Sequence, residues 1–350
     1  IMTAAAILAE NAPLVIICGS GVTQQPASDQ AVKAIRILAS ALGADIVTPV
    51  GEGNMVGALD MGMHPGLLPG YRKARRPGRD YGGILDGIGA GEIKALYLAG
   101  DVPPLPDFAN VPFLVVQGIV QSELMRSAQV VLPAATFAEM DGTMTNLEGR
   151  GQRVQQAIDP PGQARPGWKI VTAVAQRLGS AWVYTSAADV LTEIGSAVPA
   201  YRGISYEKLG VAGILRRFGP DGRRQLLSFS LNGVRPAPSD DLPLLLIAER
   251  NRLCYSGVCL TREITGLAEL KEENVIHLAR TDAARLHVGD GAHVKVTSAY
   301  GSAYLVASVG NGVPDGTAFV SVNPVVGSPV FPHWMPSAKT YPIRVEASSE

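Results

Sequence analysis

The sequence predicts an α/β fold, a mostly parallel sheet with flanking helices, followed by a closed β-barrel. Three observations carry this reading. Up to about residue 178, short apolar strands alternate with helical patterns at the spacing that parallel strands need for their crossovers. From Ala187 to Asp240 the pattern turns irregular and ends in Pro236, Pro238 and the acidic pair Asp240-Asp241. Beyond that point helical period disappears, and strand-length apolar runs follow one another with turn signals between them. The expected division is 1–186, a connector over 187–240, and a barrel over 241–350.

The elements follow in order. Leu14 to Cys18 is a strand of buried type that runs into Gly19-Ser20-Gly21. Asp29 to Leu42 places Val32, Ile35, Ile37, Leu38 and Leu42 in a helix pattern, with Asp29 as a cap and Gly43 as its stop. Ala44 to Val50 is the next strand, and a Gly/Pro-rich loop then runs to Arg79. A helix over about Asp80 to Ala90 precedes strands at Ala95–Ala99 and Phe113–Gln117. A short helix, Ser122–Ala128, leads into the strand Val130-Val131-Leu132, which Pro133 ends. A polar Asp-Gly/Thr-Asn/Glu-Gly loop, an Arg-bearing strand from Gly149 to Ile158 and a helix from Ile170 to Leu178 complete the first region. In the second, Leu242–Ala248, Asn274–Leu278, Ala292–Ser298, Gly301–Val309 and Thr317–Val322 are strands, separated by turns such as Gly289-Asp290-Gly291 and Pro314-Asp315-Gly316.

Composition bounds the function. A chain of 350 residues, 47% hydrophobic and 17% charged, is long enough for two domains with a core each. A net charge of −1 leaves no electrostatic footprint for nucleic acid. Cys18, Cys254 and Cys259 are too few and too irregular for a disulfide framework or a four-Cys metal site, which fits a reducing, cytoplasmic setting. No apolar run reaches the roughly 18 residues of a membrane helix, so no direct membrane span is expected. Ile1 to Ala9 lacks a signal peptide's charged start. The first residue is Ile and the first element begins almost at once, so the chain is expected to be the C-terminal part of something longer. The five histidines show no metal-ligand spacing, and no catalytic or metal-ligating residue is nominated.

Several loops carry polar groups that suit a ligand. Gly19-Ser20-Gly21-Val22-Thr23-Gln24 joins a strand to a helix, where free N–H groups suit a phosphate; it is not GxGxxG, and the residues alone favour a mere tight turn. Gly53-Asn54-Met55-Val56-Gly57-Ala58-Leu59-Asp60-Met61-Gly62 and Leu68-Pro69-Gly70-Tyr71 form a second run. In Glu139 to Arg153, Asp141, Thr143, Thr145 and Asn146 offer hydrogen bonds, and Arg150 and Arg153 can meet phosphates with two donors each. The competing reading pairs Glu139 and Glu148 with those arginines and spends Asn and Thr on loop backbone. In the barrel region stand Gly257, Thr261-Arg262 and the run Thr281 to Gly291 with Val294-Lys295-Val296.

As strings, these runs resemble the molybdopterin oxidoreductases. That superfamily includes formate dehydrogenase large subunits and the related large subunit of NADH-quinone oxidoreductase, respiratory complex I. The stretch from Ala128 to Trp168 carries most of the likeness. A G-x-G-x-T-Q-like run at Gly19 and the barrel signature D-A-x-x-L-x-V-x-D-G-x-x-V-x-V add to it, and the match covers about Val15 to Val345. The resemblance implies a six-stranded double-psi barrel of the molybdopterin-dinucleotide-binding type, and α/β sheets completed by an N-terminal half. If a pterin dinucleotide is retained, it implies contacts from Gly19, Thr23, Gln24, Asn54, Asp60, Thr145, Asn146, Arg153 and Arg262.

Three departures point to a branch that has lost the cofactor. The stretch Gly43 to Gly53 is shorter than in pterin-holding members, Val102 stands where an amide is common, and no histidine precedes Gly257. The expectation is therefore a scaffold like the large complex I subunit, supporting electron transfer from NADH to quinone, with no cofactor in this chain. Iron–sulfur clusters would sit in the N-terminal region or in partner subunits, and the whole would lie peripherally at the inner face of the cell membrane. The alternative is the cofactor-cradling part of a formate dehydrogenase, with molybdenum or tungsten held by molybdopterin guanine dinucleotide. Either way the partners are other subunits of a respiratory or formate-oxidising complex, or the chain's own N-terminal half, and the chain is not catalytic alone.

Overall fold

A computed structural model describes residues 1–11, 13–23, 28–49, 53–100, 106–217, 238–250, 266, 274–322 and 340–348. They fall into two compact units, one holding residues up to 49 and from 238 onward, the other 53–100 and 106–217. These units follow contacts; the division at 186 and 240 follows sequence pattern and stands as a proposal about domain bounds.

The first unit opens with α1 (Met2–Glu10), β1 (Val15–Ile17), α2 (Ser20–Thr23), α3 (Ser28–Leu42) and β2 (Asp45–Val47). β1 and β2 pair in parallel, Val15 against Asp45 and Ile17 against Val47. Gly43 takes the left-handed φ of +61° that ends α3, and Ala44 N–H closes the turn on the Ala39 carbonyl at 2.8 Å. The strand expected to be buried is not: Val15 is 56% and Ile17 69% exposed. A parallel sheet needs cover on both faces, and a two-stranded pair in this unit has little.

The second unit carries α4 (Met55–Asp60), the hairpin β3 (Leu67–Leu68) and β4 (Arg72–Lys73), and α5 (Tyr81–Gly89). Asp80 caps α5 as the sequence suggests, accepting Gly83 N–H at 2.8 Å. β5 (Ala95–Ala99), β6 (Phe113–Gly118), α6 (Glu123–Ser127) and β7 (Val130–Pro133) build a three-stranded parallel sheet in the order β5-β6-β7. The polar loop is itself a strand pair, β8 (Gly142–Thr145) with β9 (Arg150–Val154), before α7 (Gly167–Arg177). The stretch that sequence pattern leaves irregular holds α8 (Ala187–Ala197), α9 (Tyr206–Leu209) and β10 (Ile214–Leu215), the last pairing with β9. Ser186 and Asp189 form a reciprocal capping box at the start of α8. Leu191, Val198, Tyr201, Ile204 and Leu209 pack into a small core there.

From Leu244 onward the first unit closes into a barrel: β11 (Leu244–Arg250), β12 (Val275–Ala279), the helical turn α10 (Arg280–Arg285), β13 (His293–Ser298), β14 (Gly301–Gly310), β15 (Thr317–Val322) and β16 (Thr340–Ala347). The order around it is β11-β15-β12-β14-β13-β16, with β11–β15 and β12–β14 parallel and the other pairs antiparallel. Sequence pattern supplies five of these strands; β16, whose Tyr-Pro-Ile-Arg-Val alternation contains a proline, is not among them. Leu244, Leu246, Ile276, Leu278, Val294, Val296 and Ile343 are sealed from solvent. Each contributes about 1.5–3 kcal/mol of burial. Asp282 ties α10 to the turn before β15, accepting Gly316 N–H and an Arg285 N–H at 2.6 Å each, and Asp290 accepts Val309 N–H at 2.8 Å. The two aspartates of the barrel signature thus hold backbone. Among the described residues no helix is long and apolar enough to cross a membrane.

Candidate functional site

Asp60, the last residue of α4, is fully buried and is the centre of a polar cluster in the second unit. A buried carboxylate must be paired and hydrogen-bonded to be tolerated. Its partners come from three separate segments. Tyr71, from the turn between β3 and β4, donates its hydroxyl to Oδ1 at 2.7 Å. Tyr201, from the single helical turn after α8, donates to Oδ2 at 2.7 Å. Arg216, just beyond β10, donates from Nη2 to Oδ1 at 3.2 Å and sets Nε 2.6 Å from Oδ2.

The proton count fixes the rest of the cluster. A phenol has one proton, and Tyr201 gives it to Asp60. The 2.7 Å contact between Tyr201 and Thr145 therefore has the Thr145 hydroxyl as donor. Thr145, at the end of β8, also gives its N–H to Asn54 Oδ1 at 2.8 Å. Gly57 makes this possible: a Cβ there would lie 2.3 Å from Asn54 Oδ1 and 3.3 Å from Thr145 Cβ, so only glycine lets α4 approach β8 with Asn54 folded between them. Burial, followed by the bond to Asp60, pushes the Tyr71 hydroxyl up to about 12. The same two causes in the same order raise Tyr201. Both phenols remain donors at neutral pH, and the cluster is built to hold protons in place.

The nominated residues thus divide. Asn54, Asp60 and Thr145 come together, and they spend their bonds within one cluster. Asn146 closes the β8–β9 turn, its Oδ1 accepting Arg150 N–H at 2.9 Å. Arg153 stays outside this cluster: Nη2 reaches Asp141 Oδ1 at 3.2 Å, both side chains are near 40% exposed, and its guanidinium carbon lies 4.9 Å from the centre of the Tyr206 ring. Most of its five donors remain for an anion. Of the two glutamates expected to pair with arginines, Glu148 lies 3.3 Å from Arg150, whereas Glu139 is buried and caps its own turn by accepting Thr136 N–H at 2.9 Å. Gly19 and Thr23 stand at the two ends of the short α2 in the other unit. Gln24 and Arg262 lie outside the described residues, as do Val102, Cys254 and Cys259.

Sequence reasoning misses Tyr201 and Arg216 and gives Tyr71 no part. Tyr201 and Arg216 stand where the family likeness is weakest, 141 and 156 residues beyond Asp60, and no local pattern links them to it. The carboxyl edge of the parallel sheet does carry a readable signal. Gly100, directly after β5, has φ +87° and open space where a Cβ would stand; Gly19, two residues past β1 in the other unit, shares only the open space. Ligands of open parallel sheets bind outside such edges, where bare backbone can approach them.

The family model described as molybdopterin oxidoreductase matches residues 2–177, and that of the molydopterin dinucleotide binding domain matches 244–334. The chain belongs to the molybdopterin oxidoreductase family. Within it, the chain is 32% identical to the F420-dependent formate dehydrogenase subunit alpha of Methanocaldococcus jannaschii, over 90% of this chain and 54% of that protein. It is 30% identical to the F420-dependent formate dehydrogenase 2 subunit alpha of Methanococcus maripaludis, over 77% of this chain and 47% of that one. The chain thus spans about half the length of these curated relatives. Acetylene hydratase from Pelobacter acetylenicus has the same fold, with a TM-score of 0.66 over 91% of this chain and 55% of its own, at 17% identity. Sequence motifs alone rank the complex I branch ahead of the formate dehydrogenases; these relatives reverse that order. The departures at Gly43–Gly53 and Val102 suggest loss of a pocket, but a loop can shorten while the framework around Asp60 stays intact.

Proposed function

We propose that this molybdopterin oxidoreductase chain is the cofactor-cradling part of a formate dehydrogenase alpha-type subunit. The observation that carries the reading is the likeness to formate dehydrogenase alpha subunits along nine-tenths of the chain, through both matched domains. The described residues fit such a group at their edges and not at their centre. The Asp60 cluster is saturated and serves as a frame that fixes the β8–β9 strand pair. Within the second unit, Gly100 offers open backbone beyond the end of β5, and Arg153 offers unspent donors for a phosphate. When bound, the pterin-held molybdenum or tungsten would supply the redox centre that accepts electrons from formate. This chain's own part is to bind and orient: Gly100 backbone and Arg153 for the phosphates, and the Asn54–Thr145 bond to hold β8 against the start of α4.

The second reading, a complex I scaffold, keeps one observation in its favour: Asp60, Thr145 and the Oδ1 of Asn54, all nominated for a ligand, spend bonds on one another and on Tyr201. Metal analysis by mass spectrometry, with pterin fluorescence after oxidation, separates the two in the purified intact protein that carries this chain. Stoichiometric molybdenum or tungsten with a guanine dinucleotide is expected, and Arg153→Ala should release part of it. Iron without either metal would overturn the proposal in favour of the scaffold.

A further inference from the structure

The hairpin that delivers Tyr71 to Asp60 also presents a concentrated positive charge to solvent. Leu67 pairs with Lys73 and Leu68 with Arg72, and the pairing continues as Ala74 N–H donates to the Gly66 carbonyl at 3.0 Å and Gly78 N–H to that of Pro65 at 2.7 Å. Arg72, Lys73, Arg75 and Arg76 are all exposed, four cations within five residues of a chain whose net charge is −1. Among the described residues no carboxylate pairs with any of them. Of the three acids that follow in the chain up to Glu92, Asp80 caps α5, Glu92 pairs with Arg79 at 2.6 Å, and Asp86 is exposed on α5 with no ion pair to the hairpin. Leaving four like charges side by side and unmatched is unfavourable in the free protein, and the cost is recovered only against negative charge.

The hairpin is also held rigid at some expense. Its turn places Gly70 at φ +73° and Tyr71 at φ +61°, a left-handed backbone that a residue with a Cβ adopts at about 1 kcal/mol or more. The buried bond from Tyr71 to Asp60 fixes that turn, and the Arg72 Nε–H donates to the Pro69 carbonyl at 3.2 Å. Three of the four cations are arginines, whose planar forks match carboxylates. Beside them, Leu68 opposite Arg72 is 42% exposed and Met63 is 75% exposed. Arginine and methionine around an exposed apolar patch are the composition enriched at protein interfaces. A lipid surface needs only diffuse charge on a loose segment, whereas here Arg72 and Lys73 stand on a braced strand and Arg75 and Arg76 follow within three residues of its end.

We propose that the hairpin from Leu67 to Arg76 is a docking surface for an acidic face of another protein. The inference stands on this unit alone and does not depend on which function the chain serves. The test measures binding of the full chain to a fluorescein-labelled peptide of alternating glutamate and leucine by anisotropy, and to phosphatidylserine vesicles by sedimentation. Arg75→Glu/Arg76→Glu, which touches no contact of the fold, should weaken peptide binding about tenfold, and added salt should weaken it in the unaltered chain. Arg177→Glu/Arg202→Glu, reversing two exposed cations elsewhere, should leave it within about twofold. Circular dichroism should be unchanged in both variants. Equal peptide binding by the hairpin variant and the unaltered chain overturns the proposal, as does no binding at all. Tighter binding to vesicles than to peptide, lost on reversing Arg75 and Arg76, overturns it in favour of a membrane.

Discussion

Asp60 accepts contacts from Tyr71, Tyr201 and two nitrogens of the Arg216 guanidinium, and removing its charge leaves these donors facing an amide. Asp60→Asn should therefore cost about 3 kcal/mol, the range for breaking a buried ion pair, as a lowered midpoint in urea unfolding. Tyr71→Phe removes one donor of several and should cost about 1 kcal/mol; equal losses for the two would mean that the carboxylate is not the hub. Tyr71 also sets a pH dependence. Its hydroxyl titrates at about 12 in the folded chain against 10 in the unfolded one. Its contribution is whole below pH 10 and is lost as pH rises through the folded value, and half-burial keeps it modest. Tyr71→Phe should flatten this alkaline loss of stability, followed by tyrosinate absorbance. None of the hub's partnership is readable from residue types. Asp60 stands out as a polar residue in a family-like string, but a hydrogen bond between residues far apart in the chain has no sequence signature.

Helix and strand positions are legible because their signals are local. Gly43 and Asp80 mark helix ends by chemistry that acts within a turn, and β5 and β15 appear at the residues that their apolar runs predict. β8 and β10 escape sequence reading because they are short and polar or lie in a weakly patterned stretch, and they exist by pairing with β9. The pairing of β10 depends on Gly213. It sits at φ +69°, and a Cβ would lie 2.5 Å from the Gly151 carbonyl oxygen. Gly213→Ala should cost about 2 kcal/mol or more by thermal or urea unfolding and should loosen Arg216, which β10 carries to Asp60. A neutral effect would show that β10 can shift without disturbing Asp60.

At the scale of the molecule, stability is unevenly shared. The barrel's strands close on one another, and its interior residues from Leu244 to Ile343 are sealed, while β1 and the face of the β5–β7 sheet bearing Tyr97, Phe113 and Val130 remain open. Hydrogen exchange by mass spectrometry should find β13 and β16 slowest and β1 fastest, since slow exchange needs global opening. Comparable protection at Val15–Ile17 and Val294–Val296 would contradict this. By itself the sequence determined the family and the α/β-then-barrel order, because strand alternation, caps and motif strings are properties of neighbours along the chain. Only the tertiary structure decided that Asn54, Asp60 and Thr145 share one hydrogen-bonded cluster and that Arg153 and the cations of the basic hairpin are exposed. Which bonds a polar group spends, and on whom, depends on burial and on partners that the chain brings back from far away.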